Sequence, residues 1–344
     1  MNKLLILAAA AALLLASCAK VETNKSLADE NIPIAFGAYA GRNITKATTD
    51  SYTPKGTTTF TATNQKIGVY AFMGTSTTAN FMKDVEVTLA GNGATASQAY
   101  DPVKYWPKDE TVAENALNFF AYYPYDATGM TRTNLGTSKY GSFAFTVQDA
   151  VANQVDLMVA DAVVDQYYST NAQNKGVVPF TFHHALTRVL FQMKAADTYN
   201  GTDITVTSLS VSKIKKAGTY TVGTGWGSQA TDQTYTIPVP TAALTTTAAP
   251  ADEAANVFLL LPQTIDADAE LSITYKIKDT ATSVETTNTK TVKLNTITDG
   301  TNAIAAWAAN QNVVYTITIG LNPIKFTATI SDWDAPTAGA WDIL

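Results

Sequence analysis

Read for the spacing of its apolar positions, the chain is a succession of short period-two segments. Ile32, Ile34, Phe36, Ala38 and Ala40 fall on one face, with Pro33, Ala35, Gly37 and Tyr39 on the other. Side chains alternate across a strand, so this segment is expected to be the first strand. Pro33, with no N–H to donate, suits a strand beginning or a sheet edge. Residues 66–73 put Ile67, Val69 and Ala71 on one face, and 84–89 alternate up to Gly91, Asn92 and Gly93, a turn signal. Residues 116–125 are apolar on both faces and run out at Pro124, which fits a central strand. Further strands are expected at 142–147 and 155–159, a polar connection at 160–175, and a long β-rich stretch at 178–193. Beyond 200 the alternation is plainer: Ile204 and Val206, Leu209 and Val211, Tyr235 and Ile237, Val257 to Leu261, Leu271 to Ile277, Val292 and Leu294, and Tyr315 to Leu321. After Asn322 and Pro323, the residues Ile324, Phe326, Ala328 and Ile330 share a face. Strands this short, with turn residues about every ten positions, indicate antiparallel sandwiches. No helical period is sustained long enough for a major helix. The Ala-rich stretch 303–309, with Trp307, is expected to form a short helical turn.

Ahead of the first strand the pattern changes. Lys3 is followed by an unbroken apolar run over 4–15 and then by Leu15-Ala16-Ser17-Cys18. A run this short, after one cation and before small residues, reads as a signal peptide over residues 1–17 rather than a membrane span. Leu-Ala-Ser-Cys resembles a bacterial lipobox, in which the chain is cut before the cysteine and the thiol is lipidated. The other reading is an ordinary secretory peptide with an incidental cysteine. Cys18 is the single cysteine of the sequence, so lipidation leaves neither a free thiol nor a disulfide, and stability must come from apolar burial and β-ladders. Residues 18–31 read as a tether. Residues 41–56, polar and Thr-rich with Arg42, Lys46 and Pro54, read as an exposed loop.

Charged residues make up only 15% of the chain and apolar ones 46%, which indicates a packed protein. Beyond the tether there is room for two domains of about 150 residues each. A net charge of −6 argues against nucleic acid and against a polybasic membrane patch. Catalytic chemistry is sparse, and neither an enzyme nor a cofactor or metal site is read. His183 and His184 are neighbours in an expected strand and point to opposite faces, so they cannot converge on one metal; one packed and one solvated is the expectation. Carboxylates such as Asp109, Glu110, Asp266, Asp268 and Glu270 sit near turns, and nothing singles out a glycosidase pair. Gly223-Thr224-Gly225-Trp226-Gly227 lacks the helix and lysine of a phosphate loop and reads as a turn. Tyr167, Tyr168, Trp226 and Trp341 either bind a sugar or partner or cap a core.

Several segments in order resemble the fimbrillin family, the Bacteroidia-type (type V) pilin lipoproteins: the lipobox at Cys18, the first strand, GRNITKATT at 41–49, KIGVYAF at 66–72, YWP at 105–107, LNFFAYYPY at 117–125, DLMVA at 156–160, FTFHHALTRVLF at 180–191 and ISDW at 330–333. In that family the segment around the paired histidines is structural and starts the C-terminal domain. The expected fold is all-β, two transthyretin-like antiparallel β-sandwich domains in tandem, at 32–177 and 178–344. The resemblance implies a lipidated precursor at the outer membrane and, after processing, a fimbrium on the cell surface. It implies a trypsin-like protease that cuts after Arg42, or after Lys46. It also implies other pilin subunits as partners, because loss of the first strand, which carries Ile32, Ile34 and Phe36, opens a groove that a strand from another subunit fills. By spacing, the donor is Ile324, Phe326, Ala328 and Ile330, or the tail with Trp341 and Ile343; alternatively the 324–330 strand completes its own domain. The alternative function is a monomeric surface lipoprotein that binds a glycan or a host protein.

Overall fold

A computed structural model describes residues 31–40, 63–90, 97–137, 140–171, 176–249, 257–321 and 324–333. The chain is nearly all β in these residues. The strands of its first half are β1 (Ala35–Ala40), β2 (Thr63–Met73), β3 (Met82–Ala90), β4 (Ser97–Ala99), β5 (Leu117–Tyr123), β6 (Met130–Thr131), β7 (Ser142–Thr146), β8 (Met158–Ala160) and β9 (Val163–Gln166). A single-turn helix, α1 (Tyr168–Asn171), lies in the stretch expected to be a plain connection. The second half carries β10 (Val177–His184), β11 (Thr187–Ala195), β12 (Thr202–Thr221), β13 (Gly225–Ile237), β14 (Val257–Leu260), β15 (Glu270–Asp279), β16 (Glu285–Lys293), β17 (Gln311–Ile319) and β18 (Lys325–Asp332).

These strands form three sheets. The first runs β1-β10-β8-β5-β2-β3-β4, with β9 paired to β5. The second runs β14-β11-β17-β18, and the third runs β16-β15-β12-β7-β6, with β13 paired to β12. Most ladders are antiparallel, as the short strands and frequent turns suggested. Two are not: β1 runs parallel to β10, and β11 runs parallel to β17. The 178–193 stretch is therefore two strands with different roles. β10 lies in the first sheet beside β1, the chain bends at Ala185 and Leu186, and β11 enters the second sheet. In the same way β7, still paired with β6, joins the third sheet beside β12, Ala217 opposite Thr146.

Alternation in the first sheet separates two packed faces. Ile67, Val69 and Ala71 point into a smaller core with Phe119, Phe180 and Phe182. Tyr70 and Phe72, one residue out of phase, point with Phe120 into the larger core that the other two sheets share. This accounts for the doubly apolar character of β5: it is buried on both sides. At the margin of the sheet the Tyr122 hydroxyl donates to Asp84 Oδ1 at 2.6 Å and accepts from Arg132 Nη1 at 2.6 Å. The helical turn expected over 303–309 is absent. That segment is extended, bridged Ala303 to Thr298 and Ala306 to Thr264, and buried Trp307 donates from Nε1 to the Tyr315 hydroxyl at 3.0 Å. Anchoring a large indole outweighs the weak preference of a few alanines for helix.

Candidate functional site: the first strand and its seat

The first strand is held in two stretches. Over β1 itself the ladder runs parallel to β10, from Ala35 opposite Val177 to Ala40 opposite Phe182. β1 is the outermost strand of its sheet, with β10 as its one ladder neighbour among the described residues. Upstream the chain changes partner: Ile34 N donates to Lys104 O at 2.9 Å, Trp106 N donates to Ile32 O at 3.0 Å, and Pro33 bridges Tyr105 antiparallel. The Tyr100 hydroxyl donates to Ile34 O at 2.7 Å. Burial raises the Tyr100 phenol above its ordinary pKa, against a smaller lowering by its backbone contact with Lys104. The clamp is closed below by Trp106, whose Nε1 donates to Gly176 O at 3.2 Å, one residue before β10.

The side chains of the strand point into the smaller core. Ile34 is 1% exposed, Phe36 0% and Ala38 5%; Ile32 is half-buried beside them. Phe36 sits in a box of three rings. It stacks on Phe180 (5.6 Å, 15°), meets Phe119 edge-on (5.8 Å, 73°) and leans on Tyr100 (5.7 Å, 58°). Such aromatic pairs add to burial alone. The sheet curls so that both its outer strands border one open cleft of about 970 Å³, lined on one side by Pro33, Ile34 and Ala35 and on the other by Thr88, Ala99 and Tyr100.

The candidate donor strand is β18. It pairs antiparallel with β17, from Gln311 opposite Asp332 to Thr318 opposite Lys325, and is the outermost strand of the second sheet. Ala328 is buried, Ile324 and Phe326 are half-buried, and Ile330 is 39% exposed. Just past it Trp333 lies flat on the His184 ring, 3.5 Å away and 6° from parallel.

The two histidines part as strand geometry requires. His184 is buried, with Nδ1 2.7 Å from Asp156 Oδ1, while His183 is partly exposed, with Nε2 3.0 Å from Asp161 Oδ2. Among the described residues no three His, Cys, Asp or Glu side chains come together as a metal site, and no helix is long and apolar enough to cross a membrane. Gly223 lies in the turn joining β12 to β13. Trp226 is half-buried against Phe143 and Tyr220, and its Nε1 donates to Ala185 O at 2.6 Å, so it caps the core rather than offering a flat open face. Tyr167 and Tyr168 are likewise half-buried. Cys18, Arg42, Lys46, Trp341 and Ile343 lie outside the described residues. The Tyr100 clamp and the Trp333–His184 stack had no sequence signal, because each joins residues far apart in the chain.

A family model described as fimbrillin-like matches residues 45–333. The fimbrium subunit Fim1C of Phocaeicola vulgatus is 30% identical over 224 residues, covering 58% of this chain and 54% of that protein. The match thus spans about half the length of this curated relative. The fold resembles that of a fimbrial protein from Bacteroides vulgatus (TM-score 0.57, 20% identity, 88% of this chain and 100% of that one). It also resembles that of a Bacteroides uniformis protein proposed to act in cell adhesion (TM-score 0.52, 18% identity, 88% of this chain and 98% of that one). A match running through nearly all the described strands, on a chain with this all-β architecture, makes the protein a member of the fimbrillin-like family.

Proposed function

We propose that this protein is a fimbrial subunit that reaches the outer membrane as a lipoprotein modified at Cys18, is cut after Arg42 or Lys46 by a trypsin-like protease, and polymerises by exchanging its first strand for a strand of another subunit. The observation that carries the reading is an edge strand with core burial. Among the described residues β1 has a single ladder neighbour, yet Ile34, just ahead of it, and Phe36 are as deeply buried as any central residue. Fully burying one such side chain is worth about 1.5–3 kcal/mol, so these two alone hold roughly 3–6 kcal/mol, on the scale of the net stability of a whole domain. A sheet that loses this strand exposes its core along one side and gains strongly from any extended segment with the same alternate spacing. Donation from copy to copy in one direction leaves a free seat at one end and a free donor at the other, which builds a fibre and not a closed ring.

The test is limited trypsin digestion of the purified monomer. Trimming near residue 42 with conversion of monomer into a ladder of multimers is the expected result. A trimmed chain that stays monomeric at high concentration overturns the proposal.

A further inference from the structure

Past the end of β2 the loop over 74–79 borders a second cavity, of about 250 Å³, which shares no lining residue with the cleft beside the first strand. Its walls are tied in place. Asn118 of β5 donates from Nδ2 to Gly74 O at 3.2 Å, and its Oδ1 accepts from Asp165 N of β9 at 3.0 Å. Ala79 N donates to Gly136 O at 2.8 Å, and Ser76 Oγ donates to Thr78 O at 2.7 Å. Two rings complete the lining, Phe72 and Tyr140, in edge-on contact (5.1 Å, 86°). Tyr140 (φ 69°) and Asp165 (φ 53°) both hold left-handed backbone, which residues other than glycine rarely adopt and which gathers at ligand clamps. Tyr140 is the group that its surroundings leave incomplete. It is 7% exposed, and its hydroxyl is closed off from solvent with no hydrogen-bond partner. Orphaned buried polar groups are rare because leaving them unpaired is costly. Burial first, and then the charge of Asp165, raises the phenol above its ordinary pKa. The phenol therefore keeps its proton at neutral pH, and the exposed carboxylate of Asp165 lies close enough to act on it.

We propose that this cavity binds one neutral hexose unit, through a sugar hydroxyl that accepts from the Tyr140 phenol and donates to the Asp165 carboxylate. The donor and acceptor set selects the class of ligand. Among the described residues no Lys, Arg or His side chain lines the cavity, and Asp165 repels an anion. An ammonium group would suit Asp165, but it has no lone pair and leaves the phenolic proton unpaired. A hydroxyl donates and accepts at once, so it completes both groups. Size then separates a sugar from water. At ~30 Å³ each, roughly eight waters fill the cavity, and it falls just short of the ~300–1,000 Å³ that takes a drug-sized molecule; a single sugar ring matches it. The C–H face of such a ring has the Phe72 and Tyr140 rings to pack on. None of the aromatics that the sequence marked for a sugar, Tyr167, Tyr168, Trp226 or Trp341, lines this cavity. The inference is independent of strand exchange, since it uses no residue of the first strand or its seat.

Ligand-observed NMR on the purified full chain tests the site. The probes are glucose, galactose, mannose and N-acetylglucosamine, each free and as its methyl glycoside, with methylammonium and inorganic phosphate as the charged comparisons. The expected result is saturation transfer from the protein to at least one sugar and to neither charged probe. Transfer to the methyl glycoside as well as the free sugar supports the end of a glycan as the source; transfer to the free sugar alone supports a free hexose. Tyr140→Phe removes the hydroxyl and keeps the ring, and it should weaken binding about tenfold, the worth of one hydrogen bond. Its Tm should hold or rise, because the deleted group has no partner in the fold. Asp165→Asn, a residue that tolerates left-handed backbone, should also weaken binding. No transfer to any of the sugars means that water alone completes the hydroxyl, and it overturns the proposal. So does binding of methylammonium in their place, binding that Tyr140→Phe or Asp165→Asn leaves unchanged, or a fall in Tm for Tyr140→Phe, which would show that the hydroxyl already has its partner within the protein.

Discussion

Replacing Phe36 by alanine tests how the first strand is held. The ring is 0% exposed and is enclosed by Phe180, Phe119 and Tyr100 at 5.6–5.8 Å between centroids. Two of these neighbours are themselves fully buried and fixed in the sheet, so the hole has little freedom to collapse. A Phe→Ala change in such a site costs about 3–5 kcal/mol. In the intact chain this should appear as a fall in the urea midpoint at unchanged slope, because the surface exposed on unfolding is nearly the same. At about 1.4 kcal/mol per factor of ten, the state with β1 released should become roughly two to four orders of magnitude more populated. Hydrogen exchange at the β10 amides that face β1 should accelerate accordingly. The same substitution should be silent once the chain has been cut after Arg42 and freed of residues 1–42, because Phe36 leaves with the removed segment. A cost below about 1 kcal/mol in the intact chain refutes the packing argument. Loss of the substituted segment with no difference between intact and trimmed chains refutes the account of what the strand contributes.

Four further outcomes are expected. Arg42→Ala should block trimming or shift it to Lys46, and Arg42→Ala with Lys46→Ala should abolish both trimming and multimers, read by intact-mass spectrometry. Cys18→Ala should move the protein from the membrane fraction to the soluble one, read by fractionation and loss of lipid mass. Gly68→Ala places a Cβ about 2.2 Å from the ring of Tyr122, which is fully buried and tied to Asp84 and Arg132; overpacking of this kind costs about 1–3 kcal/mol, read as a fall in Tm with the fold retained. Burial is the main force that raises the phenols of Tyr70, Tyr122, Tyr235 and Tyr315 well above their ordinary value of 10.0. A group raised on folding contributes stability that is present below its unfolded pKa and lost as pH climbs past it, so stability should fall above about pH 10. Phenolate absorbance of these residues should appear together with unfolding; titration of all four at pH 10 in a chain that stays folded would contradict their burial.

How much was legible depended on whether alternation survived along the strand. β15 and β17 keep strict parity, with Leu271, Ile273 and Tyr275 buried in one and Val313, Tyr315, Ile317 and Ile319 in the other, and both were read from spacing alone. β12 is a single strand of 20 residues that spacing resolved only as the two fragments at Ile204 and Leu209. Its buried residues change parity twice, Val206 to Leu209 and Val211 to Ile214, and each change coincides with a register shift in the pairing. An extra residue in one strand turns every later side chain to the other face. The 178–193 run hid a similar change. Phe180 and Phe182 are buried in β10 while Val189 and Phe191 are buried in β11, because the chain bends between two sheets at Ala185. Parallel pairing of β1 with β10 had no local mark at all, since the choice of partner is made across about 140 residues of intervening chain. The buried face of the first strand was written in Ile34 and Phe36; its clamp through Tyr100 and Lys104 was not, because what it holds in Ile34 is the backbone N–H and C=O, which nearly every residue carries.

The division of labour within the first strand is what the proposed exchange requires of a segment that is tightly packed and yet leaves its seat. Among the described residues its backbone pairing is one parallel ladder on one side and a short antiparallel clamp upstream. Parallel pairing is also slightly the weaker kind per residue. Most of the hold therefore comes from side-chain burial, which is non-directional and available to any strand with the right spacing. While the chain is continuous, β1 re-enters its seat from a high effective concentration, on the order of millimolar, and a competing strand from another copy cannot match it at ordinary protein concentrations. A cut in the connection that follows β1 leaves every contact in the seat unchanged but removes that advantage. Departure is then governed by the burial of Ile34 and Phe36, and return by dilution. On this argument the slow step after cutting is release of the old strand. Weakening the clamp with Tyr100→Phe, which deletes the 2.7 Å bond to Ile34 O and keeps the ring beside Phe36, should speed multimer formation without changing the cutting rate. Equal multimerisation rates for Tyr100→Phe and the unaltered chain, with equal trimming, would mean that arrival of the new strand sets the pace instead.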